Sequence, residues 1–342
     1  MALSPSISVV IPAYQAKNTI DRCLNGLEQQ TVPRQSYEVI VVDDGSYDGT
    51  PARVADHADV LLLSQPHAGP AVARNLGLQE ARGEIVLFTD ADCQPVSDWI
   101  ERMVEPFHDA LVAGVKGAYL GCQPEIVARF VQVEYEDRYD RMARQEFIDF
   151  VDTYAAGYRR DILLACGGFD SGFATVSVED QELSFRLAQQ GLKLVFVPQA
   201  RVYHLSHPPD LKTYFRRKFR IGCWKVTVTR MYPGKLLSDS HTPQILKLQM
   251  FLVGLGFLCL LGGLLWSPLF WGLALSGLLF LASTLPFVLK AWPKDPQVAL
   301  VSPVLLFARA LALGTGFSAG LCACLGSVGS SRAEPPAEEQ QT

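Results

Sequence analysis

Residues 84–92 read Glu-Ile-Val-Leu-Phe-Thr-Asp-Ala-Asp, a short apolar run ending in two carboxylates one residue apart, Asp90 and Asp92. The same design occurs upstream, where Tyr37 to Val42 runs into Asp43-Asp44-Gly45-Ser46. Runs of this length, rich in Val and Ile, read as strands. Working outward, 7–11 and 60–64 are two more, and helical periodicity fills 18–30, 51–57 and 69–81. Strands alternating with helices of this size build an α/β layer on a mostly parallel sheet flanked by helices. Ligands of such sheets bind beyond the carboxyl ends of the strands. The chemistry is therefore expected at Pro12–Tyr14, Asp43–Asp44 and Asp90–Asp92. A later acidic group, Glu179-Asp180-Gln181-Glu182, opens a helix that runs to Gln190, and 192–197 reads as one more strand.

Two Asp residues separated by one position at a strand end can aim oxygens at one hard divalent cation, which in turn bridges two phosphates. Taken singly these clusters are ordinary. Asp-Gly-Ser is turn chemistry, and acidic residues in a first helical turn suit the helix dipole whatever their function. Two carboxylate pairs in register at one sheet edge say more. No G-x-x-x-x-G-K-[ST] is present and no G-x-G-x-x-G follows the first strand, so no glycine loop cradles a phosphate. A nucleotide diphosphate here is expected to be neutralised by metal. Arg74, on the helix that starts beside His67-Ala68-Gly69-Pro70, is either a second cation for it or a solvent-facing arginine.

Charge is distributed in three blocks. Residues 1–200 carry 16 Lys/Arg against 29 Asp/Glu, 201–248 carry 10 against 2, and 249–342 carry 4 against 4 in a strongly apolar background. That excludes one uniform soluble domain, and 49% hydrophobic content excludes wholesale disorder. The eight cysteines include no C-x-x-C, so neither a disulfide framework nor a zinc site is read, in keeping with a reducing compartment. A bilayer core needs roughly 20 apolar residues in a helix. Spans are expected at 250–266 and 269–289, broken by Ser267-Pro268, and at 310–328. Arg309 then either snorkels to the headgroups or lies in the bilayer as a partner for a lipid phosphate. Lys290 and Lys294 put the loop before the third span in the cytoplasm by the positive-inside rule. Met1 to Ser8 lack a signal-peptide pattern. The expectation is a multi-pass cytoplasmic-membrane protein whose 1–200 part faces the cytoplasm. The Pro/Glu/Gln-rich tail, 329–342, is expected to be disordered.

Six ordered motifs resemble glycosyltransferase family 2, whose fold is GT-A: Ser8-Val-Val-Ile-Pro-Ala-Tyr14, Val41-Val-Asp-Asp-Gly-Ser46, Ala73-Arg-Asn-Leu-Gly77, Asp90-Ala-Asp92, Gly167-Gly-Phe-Asp170 and Glu179-Asp180. The resemblance covers about 6–205. It implies a nucleoside-diphosphate-sugar donor, with Pro12, Ala13 and Tyr14 framing the base and Asp44, beside Asp43, bonding base or ribose. It implies Mg²⁺ or Mn²⁺ on Asp92, with Asp90 in the same motif, and Asp180 as catalytic base beside Glu179. His204 matches a further metal contact, with His207 competing for it. A single base without a second nucleophile implies inversion. Processive relatives carry Q-x-x-R-W, whereas Arg216-Arg-Lys-Phe-Arg-Ile-Gly-Cys-Trp224 lacks that spacing, which favours transfer of one sugar.

In 201–248, aromatic residues interleave with Arg216, Arg217, Lys218, Arg220 and Lys225 just before the first span. Such a helix reads as lying on an anionic leaflet, with Arg216, Arg217, Arg220 and Trp224 at the acceptor and membrane interface. Nucleic-acid binding is the rival for a basic stretch, and the nearby membrane anchor argues against it. The expected division is a catalytic domain over 1–205, a basic amphipathic interfacial linker over 206–248, a membrane region over 249–328 and the tail. Three functions stay open: transfer to a hydroxyl of a lipid or lipid-linked acceptor, transfer to a polyprenyl phosphate, and a non-catalytic nucleotide- or partner-binding membrane protein.

Overall fold

The computed structural model describes residues 5–173, 178–236 and 242–326, so the expected disordered tail lies outside the described residues. The chain forms two compact units. One holds the chain up to Gln123 together with Tyr139–His207; the other holds Pro124–Arg138 and the chain from Pro208 onward. The expected catalytic block 1–205 is thus interrupted, because 124–138 belongs with the second unit.

In the first unit eight strands make one sheet: β1 (Ile7–Ala13), β2 (Tyr37–Asp43), β3 (Val60–Ser64), β4 (Ile85–Phe88), β5 (Cys93–Pro95), β6 (Val112–Gly121), β7 (Ala156–Arg159) and β8 (Lys193–His204). Their order is β3-β2-β1-β4-β7-β6-β8-β5. β1 to β4 are mutually parallel, as are β6 and β8, while β7 and β5 run antiparallel to their neighbours. Every residue of β2 is buried, which explains a continuous apolar run in place of alternation. Beneath the sheet, Val10, Ile40, Val42, Val86 and Phe88 pack with Phe169, Leu183 and Leu187 in one core.

The helices in chain order are α1 (Ile20–Glu28), α2 (Thr50–Ala55), α3 (Pro70–Glu80), α4 (Trp99–Val104), α5 (Ile126–Met142), α6 (Arg160–Ala165) and α7 (Glu179–Gln189). α3 opens with Gly69 at φ +94° and Pro70 in its first turn, a start that proline's fixed φ favours. Gly77 lets α3 lie on β1: a Cβ there would sit 2.3 Å from Val10 Cγ1.

The second unit continues with α8 (Leu211–Met231), α9 (Gln244–Gly263), α10 (Leu269–Ala291) and α11 (Pro296–Gly326). α9, α10 and α11 are long and apolar enough to cross a membrane. The break at Ser267-Pro268 is where it was expected, but α11 begins at Pro296 and not at Ala310. At 31 residues it is about 46 Å long, against a hydrocarbon core of about 30 Å. Arg309 does not interrupt it, because its charge is met inside the unit: Arg309 Nη1 lies 2.7 Å from Glu134 Oε1, and Nη2 donates to Gln249 Oε1 at 2.9 Å. Neither headgroup snorkelling nor a direct lipid contact is needed to house it.

The basic helix also departs from expectation. α8 packs on α11 at a glycine seam, where a Cβ on Gly316 would meet the Phe219 carbonyl at 2.1 Å and one on Gly320 the Cys223 carbonyl at 2.5 Å. Trp224 is buried, and Lys218 turns inward to Glu134. Arg216 is exposed, and Arg217 and Arg220 are half-buried. One face of α8 is thus taken up by packing on α11, and Arg216 stays on the exposed side.

Replacing Gly77 with Val tests how tightly α3 is seated. Overpacking against the fully buried Val10 should cost about 1–3 kcal/mol, outweighing the small gain in helix propensity. The full chain should melt about 2–8 °C lower by differential scanning fluorimetry. An unchanged or higher Tm would mean that α3 does not depend on this close approach.

Candidate active site

The ends of β1 and β2 form one corner. Ala13 pairs with Asp43 in the ladder, and the Asp44 N–H donates to the Ala13 carbonyl at 2.8 Å. Pro12 stands one position back, opposite Val42. Tyr14 is half-exposed and stacks on His67 with ring centroids 4.2 Å apart, an aromatic wall of the kind that suits a planar base. Both carboxylates of this corner are buried, with different outcomes. Asp44 is saturated: Gln65 Nε2 (2.6 Å), Ala68 N (2.9 Å) and Gly69 N (2.9 Å) donate to it, and His67 Nδ1 lies 2.9 Å away. A carboxylate has about four acceptor sites, so Asp44 is committed to holding 65–69 and the start of α3. Asp44, expected to meet base or ribose, is the more fully engaged of the two carboxylates at this corner. Asp43 accepts from Ser46 N at 3.2 Å through Oδ2, and its buried Oδ1 has no hydrogen-bond partner.

The second corner follows β4. β5 pairs with the end of β8, Cys93 opposite His204, and this ladder carries His204 to the Asp-x-Asp. His204 Nε2 lies 3.7 Å from Asp92 Oδ2. The ligand atoms of Asp92, Cys93 and His204 fall within 4.8 Å of one another. Burial, with the charges of Asp92 and Asp90 behind it, pushes the Cys93 thiol well up. That leaves Asp92 and His204 as the ligands suited to a hard cation. His207 stacks face to face on His204 at 4.2 Å and is not in that group.

Arg74 joins this corner to the third. It is 2% exposed, with Nη1 2.9 Å from Glu179 Oε1 and Nη2 3.1 Å from Asp90 Oδ1. Its guanidinium also lies over the Phe169 ring at 5.6 Å. The residue expected either to face a diphosphate or to face solvent is instead a buried strut between two carboxylates. Glu179 is the buried partner of this guanidinium. Asp180, next to it at the start of α7, accepts from Gln181 N at 2.7 Å. Burial first, then the Glu179 charge, pushes its carboxyl up to about 7, while Arg74 and Lys116 pull the other way.

Lys116 was not read from the sequence. It is buried in β6, ion-paired with Asp152, and donates to Tyr154 Oη at 3.2 Å. Tyr154 in turn shares a 2.8 Å hydrogen bond with Tyr139 and stacks on Tyr119, which meets His204 edge-on at 4.6 Å. The available signal was a lone lysine inside the apolar run 112–120, a residue type rarely buried unless paired. Of the residues expected at an acceptor interface, Arg216, Arg217, Arg220 and Trp224 belong to the second unit.

Two family models match: glycosyl transferase family 2 over residues 8–166 and glycosyl transferase family group 2 over residues 95–312. Glycosyltransferase AglE of Haloferax volcanii is 29% identical over 233 residues, covering 66% of this chain and 74% of that protein. The pre-mycofactocin glycosyltransferase of Mycobacterium tuberculosis is 30% identical over 242 residues; the match covers 67% of this chain and about half, 48%, of that protein's length. Among solved structures, the mannosyltransferase PcManGT of Pyrobaculum calidifontis, in complex with GDP-Man and Mn²⁺, superposes with a TM-score of 0.58 at 20% identity. That match covers 93% of this chain and 87% of the other, and the likeness is one of fold. With the sheet, the Asp-x-Asp corner, a family 2 match over residues 8–166 and a family group 2 match over more than half of its length, this chain belongs to glycosyltransferase family 2 and has the GT-A fold.

Proposed function

We propose that the chain is a membrane-anchored inverting glycosyltransferase that moves one sugar from a nucleoside-diphosphate sugar to a hydroxyl of a lipid or lipid-linked acceptor. The observation that carries this reading is the ionic link Asp90–Arg74–Glu179, which joins the donor motif to the helix bearing Asp180. Tyr14, Pro12 and Ala13 frame the base, and the unpartnered Oδ1 of Asp43 accepts from base or ribose. The donor set of Asp92 and His204, with Asp90 beside them, fits Mg²⁺ or Mn²⁺, the imidazole suiting Mn²⁺. Such a cation, when bound, supplies neutralisation of the leaving diphosphate. Asp180 takes the acceptor proton as general base, and a carboxyl pushed up to about 7 is matched to a hydroxyl near neutral pH. At the start of α7, among the described residues, Glu179 is tied to Arg74 and Glu182 to Arg186, which argues against a second carboxylate acting as nucleophile there. One displacement, with inversion, follows.

A polyprenyl-phosphate acceptor would need no base, so the raised basicity of Asp180 favours the hydroxyl. The intact acidic set argues against a purely binding role. The three apolar helices support membrane anchoring, and Lys290 in the last turn of α10 with Lys294 just after it support a cytoplasmic catalytic unit.

Asp180→Asn should lower transfer by about 10²–10⁴ while nucleoside-diphosphate affinity stays close to wild type. Wild-type kcat/KM should fall as pH drops below about 7, the protonation range of Asp180. Because the folded-state pKa is raised, the charged form is the destabilised one. Stability is lost as pH rises from the unfolded value of about 4 towards 7. The Asn variant should therefore melt higher than wild type at pH 8 and equal to it near pH 4. Full transfer by the variant would remove the base and favour a phosphate acceptor.

Chelation should stop turnover, and Asp92→Ala should weaken nucleoside-diphosphate binding measured by titration calorimetry, since the phosphates lose their bridging cation. Undiminished turnover in excess chelator would contradict the Asp-x-Asp assignment.

A further inference from the structure

The residue that follows Tyr14 is strained. Gln15 has φ +51°, and among the described residues no other non-glycine residue has a positive φ. For a side chain with a Cβ that conformation is unfavourable, and strain of this kind gathers where function needs a fixed geometry. The two peptide planes that flank the Tyr14 Cα are both pinned. On one side the Ala13 carbonyl accepts from Asp44 N at 2.8 Å, and on the other the Gln15 N–H donates to Ser46 Oγ at 3.0 Å. Ser46 is itself placed by its N–H on Asp43 Oδ2 at 3.2 Å. With planar peptides held on both sides, the direction in which the Tyr14 ring leaves the backbone is set.

The left-handed turn at Gln15 then lays 15–17 along 46–50. Gln15 Oε1 accepts from Tyr47 N at 3.3 Å, Ala16 N donates to Thr50 Oγ1 at 2.8 Å, and Lys17 N donates to Asp48 Oδ2 at 3.0 Å. These contacts offset the strain. The ring is also backed from the other loop. His67 stacks on Tyr14 with the two planes 25° apart, and its Nδ1 lies 2.9 Å from Asp44 Oδ2. Gly45, at φ +78°, lets 65–67 come this close, since a Cβ there would sit 2.9 Å from His67 N. Tyr14 nevertheless keeps 44% of its surface exposed. A ring held from behind and still half-exposed is a stacking platform, and order present in advance spares binding the cost of creating it.

We propose that Gln15 is a positioning residue, whose left-handed backbone and side-chain amide hold Tyr14 against His67 as a preformed platform for the donor's base. The proposal rests on the reading that Tyr14 frames the base. It adds that the rigidity of the platform, and not the ring alone, sets affinity for the nucleoside. Glycine at position 15 accepts the conformation but also many others, so the platform loosens. Valine, being β-branched, is a genuine outlier at positive φ and drives the chain out of it.

The test titrates the full chain by calorimetry in Mn²⁺ with UDP, GDP, CDP and ADP, and with inorganic pyrophosphate, which has the diphosphate and no base. The nucleotide that binds best is carried forward. Gln15→Gly should weaken it about threefold and Gln15→Val at least about tenfold. Pyrophosphate affinity should stay close to wild type in both, which a general disruption of the site would not allow. In a Tyr14→Ala background neither change should weaken the nucleotide further, the coupling expected of residues that act as one unit. Should Gln15→Val melt below the temperature of the titration, Gln15→Gly and the Tyr14→Ala background carry the test. Unchanged nucleotide affinity in the Gln15 variants would overturn the proposal, and so would equal losses for glycine and valine. An equal loss for pyrophosphate, or full additivity with Tyr14→Ala, would overturn it too. If Tyr14→Ala weakens the nucleotide and the Gln15 variants do not, the positioning role alone fails. If no nucleotide binds better than pyrophosphate, or Tyr14→Ala leaves the best one unaffected, the base reading of this corner fails and the proposal with it.

Discussion

A single guanidinium, buried between two carboxylates, is the constraint on which the rest of the site depends. Arg74 reaches Asp90 after β4 and Glu179 at the start of α7 from its place on α3. Three elements far apart in sequence are thereby tied at one point. Removing one member of such a buried network typically costs about 3–5 kcal/mol, because the remaining charges are stranded. The tie also allocates roles. With Asp90 turned to Arg74, Asp92 is left to pair with His204. With Glu179 held by Arg74 and Glu182 by Arg186, Asp180 is the first-turn carboxylate of α7 that the proposed reaction uses as base, and burial, with the Glu179 charge beside it, raises its affinity for a proton.

Local pattern made much of this legible. Strands that end in Asp43-Asp44 and Asp90-x-Asp92 announce both themselves and the edge where ligands meet, since a parallel sheet gathers its strand ends on one side. The acidic start of α7 was equally visible. What could not be read was partnership. Whether Asp44 or Asp43 keeps a free oxygen depends on the backbone N–H groups of Ala68 and Gly69, which only the folded loop aims at Asp44. Arg74 looked like a cation for phosphate because nothing local shows that Glu179, 105 residues on, will claim it.

The strands that escaped reading have a physical reason too. β6 contains Gly114, Gly117 and Lys116, which break its apolar run. The glycines are there because a Cβ on Gly117 would lie 2.4 Å from the Ala200 carbonyl. In the membrane-type helices the same limit applied to Arg309. From sequence it was a charge at the edge of a span, and α11 was read as starting after it. Its partner Glu134 lies 175 residues upstream, so the buried ion pair could not be anticipated. The glycine seam of α8 and α11 likewise turns a helix that reads as a surface anchor into a packed one.

The central claim is that one base, Asp180, opposes a metal-held diphosphate in a single displacement. The stereochemistry of the product tests it most directly. Slow hydrolysis of a turned-over donor, followed by proton NMR before mutarotation, needs no knowledge of the natural acceptor. An α-linked nucleoside-diphosphate sugar should release the β-anomer first. Release of the α-anomer would mean two displacements or front-face attack, and would contradict the assignment of Asp180 as the sole catalytic carboxylate.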